Sequence, residues 1–127
     1  MDPTDMGPIY EEIGRLIADD LRADPEGAFL YAEVEDGIVS CSIFKDVGDR
    51  VIYRSCSQAL VFKIHDAWQL LEPHKRWAAF SYSISNEKFS AAFQFPEEMK
   101  PDEDYADRRP HVLNDRFGDK PVDYSDP

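Results

Sequence analysis

The stretch "FSYSISNEKFSAAFQF" (80–95) constrains the fold more than any other part of this chain. Phe80, Tyr82 and Ile84 alternate with Ser81 and Ser83; after the turn "SNEK", Phe89, Ala91, Phe93 and Phe95 alternate with Ser90 and Gln94. A period of two sends successive side chains to opposite faces of an extended backbone, so the stretch predicts a hairpin in a sheet with one buried face. An earlier stretch, "AFLYAEVEDGIVSCSIFKD", repeats the pattern. Leu30, Ala32 and Val34 alternate with Tyr31, Glu33 and Glu35, and Val39, Cys41 and Ile43 return after the turn pair Asp36-Gly37. "DVGD" then breaks the chain, and "RVIYRS" reads as a short third strand.

Elsewhere the period changes to that of a helix. Ile9, Ile13, Leu16, Ile17 and Leu21 make an apolar stripe, with Pro8 suited to its start, Glu11 and Glu12 expected in its first turn, and Pro25 and Gly27 expected to end it. Leu60, Val61, Ile64, Ala67, Trp68 and Leu71 make a second stripe, stopped by Pro73, with Ser57 as its N-cap. A third helix is expected from about Asp104 to Phe117, with Pro110 either kinking it or marking its true start and Gly118 ending it. The predicted order is α-β-β-β-α-β-β-α. This is an α+β fold, with an antiparallel sheet of about five strands and helices packed on one face.

At 127 residues the chain is one domain. Residues 1–7 read as a frayed start, 96–103 as an acidic, proline-containing connection to the last helix, and 119–127 as a tail. The formal net charge is −12, unevenly spread. Residues 1–30 carry eight acids and two bases, residues 31–96 eight and seven, and residues 97–127 ten and five. Such a field repels phosphate, so direct binding of nucleic acid or of an anionic membrane surface is disfavoured, while basic proteins are attracted. The sequence presents neither a membrane-length apolar run nor a basic-then-apolar leader, and its two cysteines are expected as reduced thiols in a cytoplasmic setting.

The residues offer little to catalysis. His65, His74 and His111 lack the spacing of a helical ligand pair. Asp102, Glu103 and Asp104 lack the alternation, turn glycine and distal glutamate of a calcium loop. There is no nucleophile elbow and no glycine-rich phosphate loop. Cys41 sits on an apolar strand face, and Cys56 has no histidine placed by sequence to activate it. No cofactor or metal is expected. What stands out is "FQFPEEMKPDEDYADRRP" (93–110), where Tyr105 is surrounded by carboxylates. An amphipathic aromatic among charges suits a protein-binding anchor, and suits equally a ring folded back onto its own domain. The candidate partner-binding residues are Glu97, Glu98, Asp102, Glu103, Asp104, Tyr105 and Asp107.

The succession "IYEEIGRLIADDL", "FLYAEVEDG", the second helix, "RWAAFSYSISNEKFSAAFQF" and "DRRPHVLNDRFGDKPVDY" resembles the YezG-like immunity protein family over about residues 9–124. The matching features include Tyr31-Ala32-Glu33, Trp77 at the start of a strand, Lys88-Phe89, and Arg108-Arg109 followed by Phe117-Gly118. These are small acidic bacterial proteins of polymorphic-toxin systems, some of which neutralise a nuclease toxin by binding its toxic domain. The resemblance therefore implies a non-enzymatic antitoxin with a basic nuclease domain as partner. Relatives commonly interleave acids with aromatics on the last strand of the hairpin, where this chain has Ala91, Ala92 and Phe93. Two rival readings are a small acid-rich metal-dependent hydrolase and a module that self-associates through the serine-bearing face at Ser81, Ser83 and Ser90.

Overall fold

The computed structural model describes residues 7–22, 24–35 and 37–124. In chain order the elements are α1 (Gly7–Leu21), β1 (Ala28–Glu35), β2 (Ile38–Asp46), β3 (Val51–Ser55), α2 (Gln58–Gln69), β4 (Ala79–Ser85), β5 (Lys88–Gln94), α3 (Tyr105–Phe117) and β6 (Val122–Asp123). The fold is α+β in the expected order, with one strand more than expected. The sheet runs β5-β4-β1-β2-β3-β6, antiparallel except where β6 lies parallel to β3. The two hairpins pair in the register set by their alternation, Phe80 opposite Phe93 and Tyr82 opposite Ala91, and Leu30 opposite Ile43.

One sheet face is covered by α1 and α2. Ile13, Ile17 and Leu21 of α1 and Leu60, Ile64 and Ala67 of α2 pack with Leu30, Ala32, Ile43, Phe80 and Tyr82. Burying each large aliphatic of that set contributes about 1.5–3 kcal/mol, which fixes which way both helices face. Ser57 caps α2, its hydroxyl accepting the Leu60 N–H at 3.3 Å. The start of α1 lies earlier than expected, at Gly7, so Glu11 and Glu12 fall beyond the first turn and Glu12 instead accepts from Arg15 at 3.0 Å. Its end also comes earlier than Pro25 and Gly27, since Arg22 already takes the left-handed conformation at φ 58°.

The third helix corrects the expectation that all helices share a face. Phe29 and Tyr31 of β1, Phe44 of β2, Val51 of β3 and Ala79 of β4 form a second apolar layer on the reverse of the sheet, and Leu113 of α3 closes it, with Val112 and Phe117 packed at its margin. Seven successive residues of β1, from Ala28 to Val34, are buried for this reason. A half-exposed strand would alternate; a strand covered on both faces does not. The connection over 96–103 carries the chain across from β5 to this side. Pro110 lies inside α3 rather than at its start, and both Pro110 and Ala106, whose carbonyl it deprives of a donor, are exposed to water.

Nor is the segment after α3 simply a tail. Val122 and Asp123 pair with Val51 and Ile52, the Val51 N–H donates to the Pro121 carbonyl at 2.8 Å, and Lys120 pairs with Asp46 at 2.8 Å. Residues 1–6 of the expected frayed start, Asp36 of the first hairpin turn, and residues 125–127 lie outside the described residues.

Candidate functional site

The site is built where the 96–103 connection meets the start of α3 and the reverse face of β1 and β2. Pro96–Glu98 form a single 3-10 turn, and the Glu98 carboxylate reaches back to accept the Phe95 N–H at 3.0 Å. Asp104 is the N-cap of α3, accepting the Asp107 N–H at 3.0 Å, while Asp107 accepts the Asp104 N–H at 3.1 Å. This reciprocal arrangement satisfies backbone donors that a helix start leaves open, and its negative charge suits the helix dipole. Three of the candidate carboxylates, Glu98, Asp104 and Asp107, are thus committed to holding backbone.

Tyr105 is folded back onto the domain. Its ring stacks on Tyr31 with centroids 5.8 Å apart and planes 11° from parallel, and its hydroxyl shares a 2.7 Å hydrogen bond with the Ser42 hydroxyl. Burial pushes its phenol up to about 12. Arg109 donates to the same Ser42 hydroxyl at 3.3 Å, and its guanidinium lies 5.8 Å from the Tyr105 ring centre, 5.9 Å from Tyr53 and 5.6 Å from Tyr124. Of the two readings the residues allowed, the packed ring is the one observed. The edge of Tyr105 still lines a small cleft with Glu33, Glu35, Ile38 and Ser40.

Beneath the connection lies a buried, charge-assisted contact. Arg108 donates to both oxygens of Glu33, at 2.7 and 2.8 Å, and the Tyr31 hydroxyl donates to the same carboxylate at 2.5 Å. Glu33 is only 6 % exposed. The remaining Arg108 donor reaches the carbonyls of Glu103 and, at 3.4 Å, Lys100. One guanidinium therefore ties the connection to β1. Its pairing with Glu33 raises the already high proton affinity of Arg108.

Three carboxylates are left over. Among the described residues those of Glu97, Asp102 and Glu103 make no hydrogen bond or ion pair; Glu97 and Asp102 are exposed, and Glu103 lines a cleft of about 310 Å³ with Glu33, Glu35, Met99, Lys100 and Arg108. The sequence pattern did not single out Glu33, Arg108 and Arg109 as parts of this site. By alternation alone Glu33 falls on the face opposite Leu30, Ala32 and Val34, which a sheet with one buried face leaves to solvent. The available signal was the coincidence of Tyr31 and Glu33 on one strand face with an arginine pair on a helix poor in apolar residues.

The other chemistry-bearing residues stay apart. His65 lies on α2 with its ring 6.0 Å from that of Trp68, His74 is near Glu72, and His111 is on the exposed side of α3. Among the described residues no group of three or more histidines, cysteines and acids is placed to hold a metal ion, and no helix is long and apolar enough to cross a membrane. Ser81 and Ser83 are half-buried and Ser90 is exposed, toward the β5 edge of the sheet. No protein-family model and no curated protein matches the chain.

Proposed function

We propose that this chain is a non-enzymatic, immunity-type binding protein that neutralises a basic toxin domain of nuclease chemistry. The observation that carries the reading is the set of unbonded carboxylates, Glu97, Asp102 and Glu103, on backbone that other residues fix in place. A charged loop that is already ordered loses little freedom on binding, so its attraction for a basic surface is not offset by the cost of ordering it. The mechanism is occlusion. The carboxylates take the positions at which a nuclease receives phosphates, and Glu35 and the exposed Ile38, at the hairpin end beside Tyr105, extend the contact.

Affinity capture from extract of the source cells, at low and at high salt, tests this. The expected catch is a basic protein held at low salt, whose nuclease activity falls in proportion to added chain. A catch that is not basic, or a nuclease whose activity is unchanged by a stoichiometric excess, would overturn the proposal.

A further inference from the structure

Cys41 and Cys56 are fifteen positions apart in sequence, and neither carries a recognisable motif. The sheet brings them together. β2 and β3 pair antiparallel, and the last paired residues are Ser42 and Ser55. One further step of the same register sets Cys41 opposite Cys56. Directly opposed residues of an antiparallel pair point to the same face with Cα atoms about 4.5–5.5 Å apart. That separation falls inside the range a disulfide spans without backbone movement, about 4.4–6.8 Å.

The side chains agree with the register. Both thiols are half-buried, and both pack at the margin of the core beneath α1 and α2. Cys56 also sits at a joint. It follows β3 directly and precedes Ser57, whose side chain caps α2 and whose N–H donates to the Asp20 carboxylate of α1 at 2.8 Å. A bond from Cys56 to β2 would clamp the point at which β3, α2 and α1 meet.

We propose that Cys41 and Cys56 form a dithiol modification site that takes small-molecule disulfides as its oxidant and closes reversibly to an intramolecular disulfide. In the first step Cys41, its proton released to solvent, attacks one sulfur of the external disulfide; that S–S bond breaks, a mixed disulfide forms on Cys41, and one thiolate leaves. Cys56 then gives its proton to the departing thiolate and attacks Cys41 Sγ, which forms the protein disulfide and expels the second external thiol. Two protein thiols are oxidised and one external disulfide is reduced to two thiols. The order follows from the Cys56 thiol being pushed up by the neighbouring Cys41 side chain, by burial and by the nearby Asp20 charge. Ring closure, being intramolecular, follows the first exchange quickly.

The test uses the full reduced chain incubated with oxidised glutathione, then alkylation of remaining thiols, intact mass and peptide mapping. The expected product is a monomer without free thiols, with a peptide linking residues 41 and 56 and no retained glutathione. Because the bridge closes a loop of about 15 residues, its melting temperature should be higher by roughly 10 °C and return to the starting value on reduction. The variant Cys41→Ser should stop at a glutathione adduct on Cys56 or not react, with no rise in melting temperature. Stable glutathione on both cysteines of the native chain, disulfide-linked dimers as the main product, or thiols that stay free under conditions that oxidise the urea-unfolded chain would each overturn the proposal.

Discussion

Removing the Arg108 guanidinium should be among the most damaging single changes outside the apolar core. In Arg108→Ala the Glu33 carboxylate stays in a site that is 6 % exposed, with the Tyr31 hydroxyl as its one remaining donor among the described residues. Two short charge-assisted hydrogen bonds, at 2.7 and 2.8 Å, disappear, and the tethers to the Glu103 and Lys100 carbonyls go with them. Breaking one side of a buried pair costs about 3–5 kcal/mol, because the partner charge remains desolvated. Urea unfolding followed by the fluorescence of Trp68 and Trp77 measures this; with a slope of about 1.5–2 kcal/mol per molar, the midpoint should fall by roughly 2 M. The double variant Glu33→Met with Arg108→Met removes both charges and keeps the volume, so it should lose only about 1–2 kcal/mol, chiefly for the Tyr31 hydroxyl left without its acceptor. Such recovery identifies desolvated charge, rather than lost packing, as the source of the damage. A midpoint shift below about 0.5 M for Arg108→Ala, or a double variant as unstable as the sum of the singles, would refute the reasoning.

Three further outcomes follow from particular contacts. A Cβ at Gly14 would lie 2.6 Å from the Tyr82 hydroxyl, which donates to the Tyr10 carbonyl at 2.7 Å, so Gly14→Ala should destabilise by about 1–3 kcal/mol despite alanine's better helix propensity, and adding Tyr82→Phe should recover most of it in the same urea assay. Asn86 and Glu87 turn the second hairpin at φ 54° and 64°, so Glu87→Gly, which gives the Asn-Gly pair such turns favour, should raise stability by about 1 kcal/mol; an unchanged or lower midpoint would contradict it. Burial raises the phenols of Tyr82 and Tyr105 from 10 to about 12, so the folded state holds their protons more tightly than the unfolded chain does. Stability should hold up to about pH 10 and fall between about pH 10 and 12, and Tyr105→Phe should flatten part of that fall in alkaline titrations of thermal unfolding.

Much of the fold was legible because it rests on periodicity. The alternation over 80–95 and 30–43 specified two hairpins and their register, and the stripes of α1 and α2 specified the face each presents to them. The position of α3 was not legible for a physical reason. Its seat on the sheet is made of Phe29, Tyr31, Glu33 and Ser42, and half of those are residues that a solvent-facing strand would also carry. Glu33 becomes an interior residue only once Arg108 arrives from seventy-five positions away. The two-residue β6 is too short to show any period, and it joins the sheet by backbone pairing beside Val51 and Ile52. In the candidate site the acidic composition of 97–107 was evident from sequence, whereas its division of labour was not. Glu98, Asp104 and Asp107 hold backbone, Tyr105 anchors the segment to Tyr31 and Ser42, and the carboxylates of Glu97, Asp102 and Glu103 are unbonded among the described residues, the first two exposed and the third in a cleft.

That division decides how the central claim is best tested. Reversing Asp104 would disturb the start of α3, so the informative variant is Glu97→Lys with Asp102→Lys, both at exposed positions without bonding partners among the described residues. The measurement is calorimetric titration of the captured basic partner with the native chain and with this variant, over a series of salt concentrations, after urea unfolding has shown the two chains equally stable. The variant should bind at least about tenfold more weakly at low salt, and its affinity should depend less on salt than the native chain's does. Equal affinity and equal salt dependence for the two chains would contradict it.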